Sequence, residues 1–167
     1  MSRLQVGAPL RISGPEIPSP QFRGYNMYRK ILIPLDSSPT DKVILDHIRL
    51  LARFTKAELV LVHVADGYAA RLQQPLNLAD SAEIKEDNQY LQDCAVQLKQ
   101  EGFNVKPVLL MGDPTTEILD LAKKEACDLI AMSTHGHRFI KDLLLGSVAE
   151  NLRHRADVPI LMLRASK

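Results

Sequence analysis

Short apolar runs alternate with amphipathic stretches along most of the chain. Residues 31–35 form a continuous apolar run, which is typical of a strand buried on both faces. The next stretch carries mostly apolar residues at intervals of three and four, which predicts a helix. These positions are Val43, Ile44, His47, Leu50, Leu51 and Phe54. A second apolar run, at residues 59–64, predicts the second strand.

The same alternation continues towards the carboxyl end. The apolar positions of a second helix are Ile84, Leu91, Cys94, Ala95 and Leu98. Further strands are predicted at residues 105–111, 128–132 and 160–163. Gly102 lies just past the second helix, where a left-handed cap is common. Asp113 and Pro114 suit the N-cap and first position of a third helix, and residues 147–156 predict a fourth.

Strands that alternate with helices predict an α/β fold with an open parallel sheet covered by helices on both faces. Right-handed crossovers leave few arrangements, and the order 3-2-1-4-5 places the first strand at the centre of five. The chain then reverses direction across the sheet between strands 1 and 4. Ligands of such sheets bind beyond the carboxyl ends of the strands at this point. We therefore expect the functional residues after Leu35 and after Met132.

Composition narrows the class of protein. The chain has 167 residues, and Lys+Arg 21 against Asp+Glu 20 gives a net charge of +1. This balance does not favour a nucleic-acid partner, and no apolar run is long enough for a membrane span. Two separated cysteines favour the cytoplasm. Residues 1–26, rich in proline and glycine, are predicted to be a flexible extension before a single domain at residues 27–167, and residues 66–79 a loop.

The residues after the fourth strand suggest a phosphate site. The chain reads Ser133-Thr134-His135-Gly136, then nine residues, then Gly146-Ser147. Ser147 and Glu150 have the spacing of a capping box, and the free N–H groups of a helix N-terminus suit phosphate. Glycine allows the backbone to approach a ligand closely. Each piece alone is more often an ordinary turn or cap.

Together, these residues resemble the universal stress protein family. The nucleotide signature of that family is Gly-x2-Gly-x9-Gly-(Ser/Thr), and the spacing matches from Ser133 to Ser147. Residues 30–38, 61–64, 112–114, 143–148 and 158–163 resemble other segments of the family in the same order. The resemblance covers residues 27–164. It implies a Rossmann-like fold of the adenine-nucleotide α-hydrolase type.

The resemblance implies a role for individual residues. Pro34 and Asp36 would contact adenosine, and Val64 and Met132 would line the adenine pocket. The residues around the phosphates would be Ser133, Gly136, His137, Gly146, Ser147 and Val148. Arg138 and Lys141, on the connecting loop, would add positive charge or remain solvated.

Ser133 departs from the family pattern, which has glycine at this position. Serine keeps the backbone N–H that a phosphate would use. If the site needed a positive φ, serine would cost ~1–2 kcal/mol; at a negative φ the cost would be near zero. We expect nucleotide binding to be retained.

The function expected from the resemblance is an ATP-binding regulatory protein of the stress response, without strong catalysis. ADP or AMP are alternative ligands, and Mg²⁺ would accompany a triphosphate. The resemblance also implies a homodimer through the fifth strand, whose flanks are Pro159 and Arg164, and a downstream protein partner that the sequence does not name. Two alternatives stay open: a nucleotide-free dimeric scaffold, and a slow ATPase or nucleotide-processing enzyme.

Other sites are less well supported. His135 and His137 are only two ligands, too few for a metal site. His63, in an apolar strand, is more simply a core histidine with its hydrogen bonds satisfied. Asp36 follows a first strand as in receiver domains, but their acidic pair and third-strand aspartate are missing. The sequence also has no P-loop and no Gly-x-Ser-x-Gly hydrolase turn.

Overall fold

The computed structural model describes residues 27–65, 82–134 and 147–164. The elements in these ranges are β1 (Lys30–Pro34), α1 (Asp41–Thr55), β2 (Glu58–Ala65), α2 (Ala82–Gln100), β3 (Val105–Met111), α3 (Pro114–Lys124), β4 (Leu129–Ser133), α4 (Ser147–Arg155) and β5 (Ile160–Leu163). None of these helices is long and apolar enough to cross a bilayer. The extension predicted at residues 1–26 and the loop predicted at residues 66–79 lie outside the described residues.

The strands form one parallel sheet in the order β3-β2-β1-β4-β5, which confirms the predicted topology. β1 pairs with β2 on one side and with β4 on the other. Since every connection passes through a helix, all five strands point the same way. The β1/β4 pair is therefore the place where the chain changes direction across the sheet.

The core has two layers, one on each face of the sheet. Ile31 and Ile33 pack against α1 and α2, whereas Leu32 between them packs against α3 and α4. All three side chains are fully buried. A strand buried on both faces explains why its sequence is continuously apolar rather than alternating.

Helix α1 differs from the prediction in which residues face the core. Its buried residues are Asp41, Ile44, Leu45, Ile48 and Ala52. Three of the apolar residues on which the helix was predicted are exposed: Val43 (37%), Leu50 (68%) and Phe54 (89%). Apolar residues occupy two sides of this helix, and the spacing alone does not say which side the sheet covers.

The two edges of the sheet differ in their backbone groups. In β5, the carbonyls of Pro159 and Leu163 accept hydrogen bonds from β4, so the N–H groups of Ile160 and Met162 point outward. In β3, the even-numbered residues bond to β2, so the odd-numbered ones point outward. One of these is Pro107, which has no N–H to offer. β3 is therefore a protected edge, and β5 is an open one.

Candidate functional site

The candidate site lies at the carboxyl ends of β1 and β4. Residues 35–40 leave β1 and lead into α1. Ser133 is the last residue of β4, and Thr134 is the last described residue after it. α4 begins at the same edge, on the opposite face of the sheet from α1. This is the crossover at which α/β sheets of this type bind ligands.

Hydroxyl groups join the two strand ends. The Thr40 Oγ1 atom lies 3.1 Å from the Ser133 Oγ atom and 2.7 Å from the Ser38 Oγ atom. The Thr40 N–H also donates to the Ser38 Oγ atom at 3.3 Å. A chain of three hydroxyls therefore fixes the turn after β1 against the end of β4.

The turn after β1 contains a strained residue. Ser37 has φ +60°, in the left-handed region. Such a conformation costs a non-glycine residue roughly 1–2 kcal/mol and persists where neighbouring contacts impose it. The Asp36 carboxylate accepts the Ser38 N–H at 3.2 Å, closing a local turn around Ser37. The Ser37 hydroxyl donates to Asp87 on α2 at 3.3 Å.

A buried histidine supports the same turn from β2. The His63 Nδ1 atom lies 2.9 Å from the Leu35 carbonyl oxygen, and its Nε2 atom lies 3.2 Å from the Asp87 carboxylate. This confirms that His63 is a core histidine whose ring nitrogens both have partners. Asp87 of α2 therefore contacts both His63 and Ser37.

Asp41, in the first turn of α1, carries a buried carboxylate. Its two oxygens accept the Asp36 N–H at 3.3 and 3.2 Å, and one accepts the Tyr90 hydroxyl at 2.9 Å. Burial, followed by the neighbouring Asp36 charge, raises the pKa of Asp41 from its ordinary value to about 7, while the Tyr90 hydroxyl opposes the rise. Burial also raises the pKa of the Tyr90 phenol. Asp41 therefore changes charge near neutral pH.

Ser133 adopts a backbone conformation that serine tolerates. It is the last residue of β4 and is not among the described residues with positive φ. The next residue, Thr134, continues the ladder, because its N–H donates to the Leu163 carbonyl at 2.8 Å. Having serine where the family signature has glycine therefore costs no backbone strain in this structure.

The structure brings some of the predicted site residues together. Asp36 and Ser133 belong to the turn and strand end that Thr40 connects. Met132, Val64 and Val148 pack in the core layer formed with α3 and α4. Pro34 ends β1, and Ser147 begins α4. The predicted residues outside the described ranges are Gly136, His137, Arg138 and Gly146, together with Lys141.

Sequence reasoning missed four polar residues of this region: Ser38, Thr40, Asp41 and Tyr90. Thr40 and Ser133 are 93 positions apart, and Asp41 and Tyr90 are 49 apart. No local spacing connects such pairs. The one available signal was the run of polar residues between the first strand and the first helix.

Known proteins were compared with this chain by sequence and by fold, and both comparisons find universal stress proteins. A sequence model of the universal stress protein family matches residues 27–164. The universal stress protein MJ0577 of Methanocaldococcus jannaschii is 29% identical over 155 residues, covering 83% of this chain and 96% of the relative. A solved structure of MJ0577 has a TM-score of 0.75 at 31% identity, covering 84% of this chain and 99% of that one.

Two further proteins extend the comparison. The universal stress protein MJ0531 of the same organism is 32% identical over 150 residues, covering 86% of both chains. A universal stress protein from Archaeoglobus fulgidus, solved in complex with dAMP, has a TM-score of 0.61 at 21% identity and covers 81% of this chain and 98% of that one. Likeness at that identity establishes the fold alone. The family match across residues 27–164 shows that this chain belongs to the universal stress protein family.

Proposed function

We propose that this protein binds an adenine nucleotide at the β1/β4 crossover and acts as a nucleotide-responsive regulator in the stress response. ATP is the favoured ligand, with ADP and AMP as alternatives. The observation that carries the proposal is the hydroxyl chain from Ser38 through Thr40 to Ser133, which assembles polar groups where such sheets bind ligands. The dAMP complex of a protein with the same fold is consistent with this ligand class.

The groups at the site suit adenosine chemically. The Asp36 carboxylate is an acceptor, and adenosine offers donors in its ribose hydroxyls and its amino group. The first turn of α4, which begins at Ser147, would receive the phosphates together with Gly136 and Gly146. Mg²⁺ would arrive with the phosphates and keep several of its waters.

We propose that the site binds the nucleotide without strong catalysis. The described hydroxyls and carboxylates of the crossover are engaged in fixing the turn after β1. Nucleotide occupancy would act by changing the protein's affinity for a downstream partner. We place the protein in the cytoplasm, where the thiols of Cys94 and Cys127, which form no disulfide, stay reduced.

Titration calorimetry with ATP, ADP and AMP tests the ligand. We expect micromolar binding that Asp36→Ala weakens roughly tenfold or more, the effect of losing a hydrogen bond to a charged acceptor. Asp46→Ala is the matched control, since that exposed carboxylate pairs with Lys42 and Arg49 on α1. No binding heat at millimolar nucleotide would favour the scaffold alternative, and rapid turnover lost in Asp36→Ala would favour the enzyme.

We also propose a homodimer that pairs through β5. The outward N–H groups of Ile160 and Met162 lie on an open edge with four apolar side chains, and a second copy would satisfy them. At the other edge, Pro107 removes one outward donor, and the exposed Lys106 is paired with Glu125. The two edges therefore predict pairing at β5 and not at β3.

Sedimentation velocity of two matched variants tests the dimer. Met162→Pro removes an outward N–H of β5, and Met111→Pro makes the same change at an outward position of β3. We expect the first variant to sediment as a monomer and the second to remain a dimer. A dimer that survives Met162→Pro in a folded protein would contradict pairing at β5.

A further inference from the structure

Asp41 occupies an unusual place for a carboxylate. It is 1% exposed, and within the described ranges it is the only acidic residue among the buried ones. Buried carboxylates ordinarily require a cation or several hydrogen-bond donors. None of the ion pairs in the described part of the chain includes Asp41. Its stability in the charged form therefore depends on hydrogen bonds.

These hydrogen bonds come from two elements. The Asp36 N–H, in the turn after β1, donates to both oxygens of Asp41, and the Tyr90 hydroxyl of α2 donates to one of them. Asp41 thus joins α2 to the backbone of the residue that would contact adenosine. Its backbone N–H also donates to the Ser38 carbonyl oxygen at 3.1 Å, on the other side of the strained Ser37.

Of the other titratable groups near Asp41, the Asp36 carboxyl disfavours its negative charge. The Asp36 carboxyl lies close enough to repel it and to share a hydrogen bond with it. Cys94 on α2 lies beyond Tyr90, and its thiol is held in the protonated form, because burial raises its pKa. The nearby His63–Asp87 pair is joined to the turn through Leu35 and Ser37.

Water can reach the neighbourhood of Asp41. Ser38 and Tyr90, which flank it, line a groove of about 600 Å³ between α1 and α2. The charged residues that line this groove are Lys42, Asp46, Arg49 and Glu101. Solvent in this groove therefore reaches Tyr90 and Ser38, the neighbours of Asp41.

We propose that Asp41 is a positioning residue that makes adenosine binding depend on pH. The ionised carboxylate holds the Asp36 backbone by its N–H and, having no proton to donate, does not compete with adenosine for the Asp36 carboxylate, which also accepts the Ser38 N–H. The protonated form donates its O–H to the Asp36 carboxylate, and this O–H then competes with the donors of adenosine for the same acceptor. Affinity falls as the pH falls through the titration of Asp41. This inference rests on the proposed function, because it requires adenosine to bind beside Asp36.

Adenosine binding measured by calorimetry across the neutral range is the test. Adenosine is the probe because it lacks phosphates, whose own pKa of roughly 6 would confuse the profile. We expect wild-type affinity to be roughly fivefold or more lower at about pH 6 than at about pH 8.5, the lower end of typical coupling between sites. In Asp41→Asn the side-chain amide donates to Asp36 at every pH, so affinity stays at the wild-type low-pH value.

Two more variants separate positioning from a general structural role. Tyr90→Phe removes the donor that favours ionised Asp41, so the midpoint of the affinity profile moves to higher pH. Asp46→Asn, a change at an exposed carboxylate of the same helix, keeps the wild-type profile. A carboxyl-resolved NMR titration of the unliganded protein measures the Asp41 midpoint without any ligand.

The outcomes distinguish this inference from the proposed function. Adenosine binding that is equal at all these pH values, or a pH dependence that persists in Asp41→Asn, overturns the role of Asp41 while nucleotide binding stands. An NMR midpoint near the ordinary value for aspartate does the same. Absence of adenosine binding to the wild type at every pH overturns this inference, and the proposed function falls with it only if ATP, ADP and AMP also give no binding heat.

Discussion

Two helices that begin at the same edge of the sheet each have an aspartate at their start. The two carboxylates accept hydrogen bonds from opposite directions along the chain. Asp113, before α3, is exposed and accepts the Thr116 N–H at 2.9 Å and its hydroxyl at 2.7 Å. Asp41, at the start of α1, is buried, and its carboxylate points back to the Asp36 N–H and to Tyr90. The first satisfies its own helix, whereas the second serves the preceding turn and a neighbouring helix.

The turn after β3 follows the local rules of helix initiation. Gly112 takes the positive φ of +144°, Asp113 is the N-cap, and Pro114 occupies the first position of the helix. The turn after β1 departs from those rules. Ser37 has a positive φ, and Thr40, at the N-cap of α1, makes no capping hydrogen bond. Departures of this kind concentrate at functional sites, which supports the turn after β1 as the ligand site.

The largest expected effect comes from removing the charge of Asp41. Its folded-state pKa is about 7 against an ordinary value of 3.8, so the folded protein binds this proton more tightly than the unfolded chain does. The resulting stabilisation is complete below about pH 4 and is lost as the pH rises through about 7. Asp41→Asn should therefore raise the free energy of unfolding by roughly 2–4 kcal/mol at about pH 8, with little gain at about pH 4.

Urea unfolding of the wild type and Asp41→Asn at both pH values measures this difference. Asp46→Asn is the control, because a salt bridge with Lys42 lowers the pKa of that exposed carboxyl. Equal stability of Asp41→Asn and the wild type at about pH 8 would mean that folding does not raise the pKa of Asp41. Together with the binding test, a gain in stability and a loss of affinity would show that the turn after β1 trades stability for ligand binding.

The second-largest change in stability is expected at Gly112, the residue with a positive φ in the turn after β3. A Cβ at Gly112 would lie 2.8 Å from the Glu117 Oε1 atom, and φ +144° is a conformation that side chains rarely adopt. Gly112→Ala should therefore lower the free energy of unfolding by about 1–3 kcal/mol. Gly112→Ala combined with Glu117→Ala should recover only the part due to the contact. Thermal unfolding of both variants separates the contact from the backbone strain.

Ser37→Gly is the matching change in the turn after β1. Glycine relieves the left-handed strain, but it loses the Ser37–Asp87 hydrogen bond and adds freedom to the unfolded chain. These effects nearly cancel, so stability should change by less than about 0.5 kcal/mol. A large gain from Ser37→Gly would show that the contacts around Ser37 contribute less than the structure indicates.

The sequence predicted the strands and the turn after β3 from local signals, and the sheet order from the rule that crossovers are right-handed. Apolar runs, Asp113 and Pro114 are each informative within a few residues. The sequence did not predict which side of α1 is buried, because Leu50 and Phe54 are apolar yet exposed. It also missed the links of Asp41 to Tyr90 and of Thr40 to Ser133, which form between distant segments once the sheet and α2 are in place.

A smaller effect than that of Gly112→Ala is expected at Asp113. Asp113→Ala removes the acceptor for the Thr116 N–H and should lower the free energy of unfolding by about 1 kcal/mol, whereas Asp113→Asn, which caps equally well, should change it by a few tenths at most. Urea unfolding measures both variants. Neither should change adenosine affinity, because the turn after β3 lies two strands away from β1. A loss of affinity in folded Asp113→Ala would mean that the ligand site extends to β3, and the contrast between the two turns would no longer identify it.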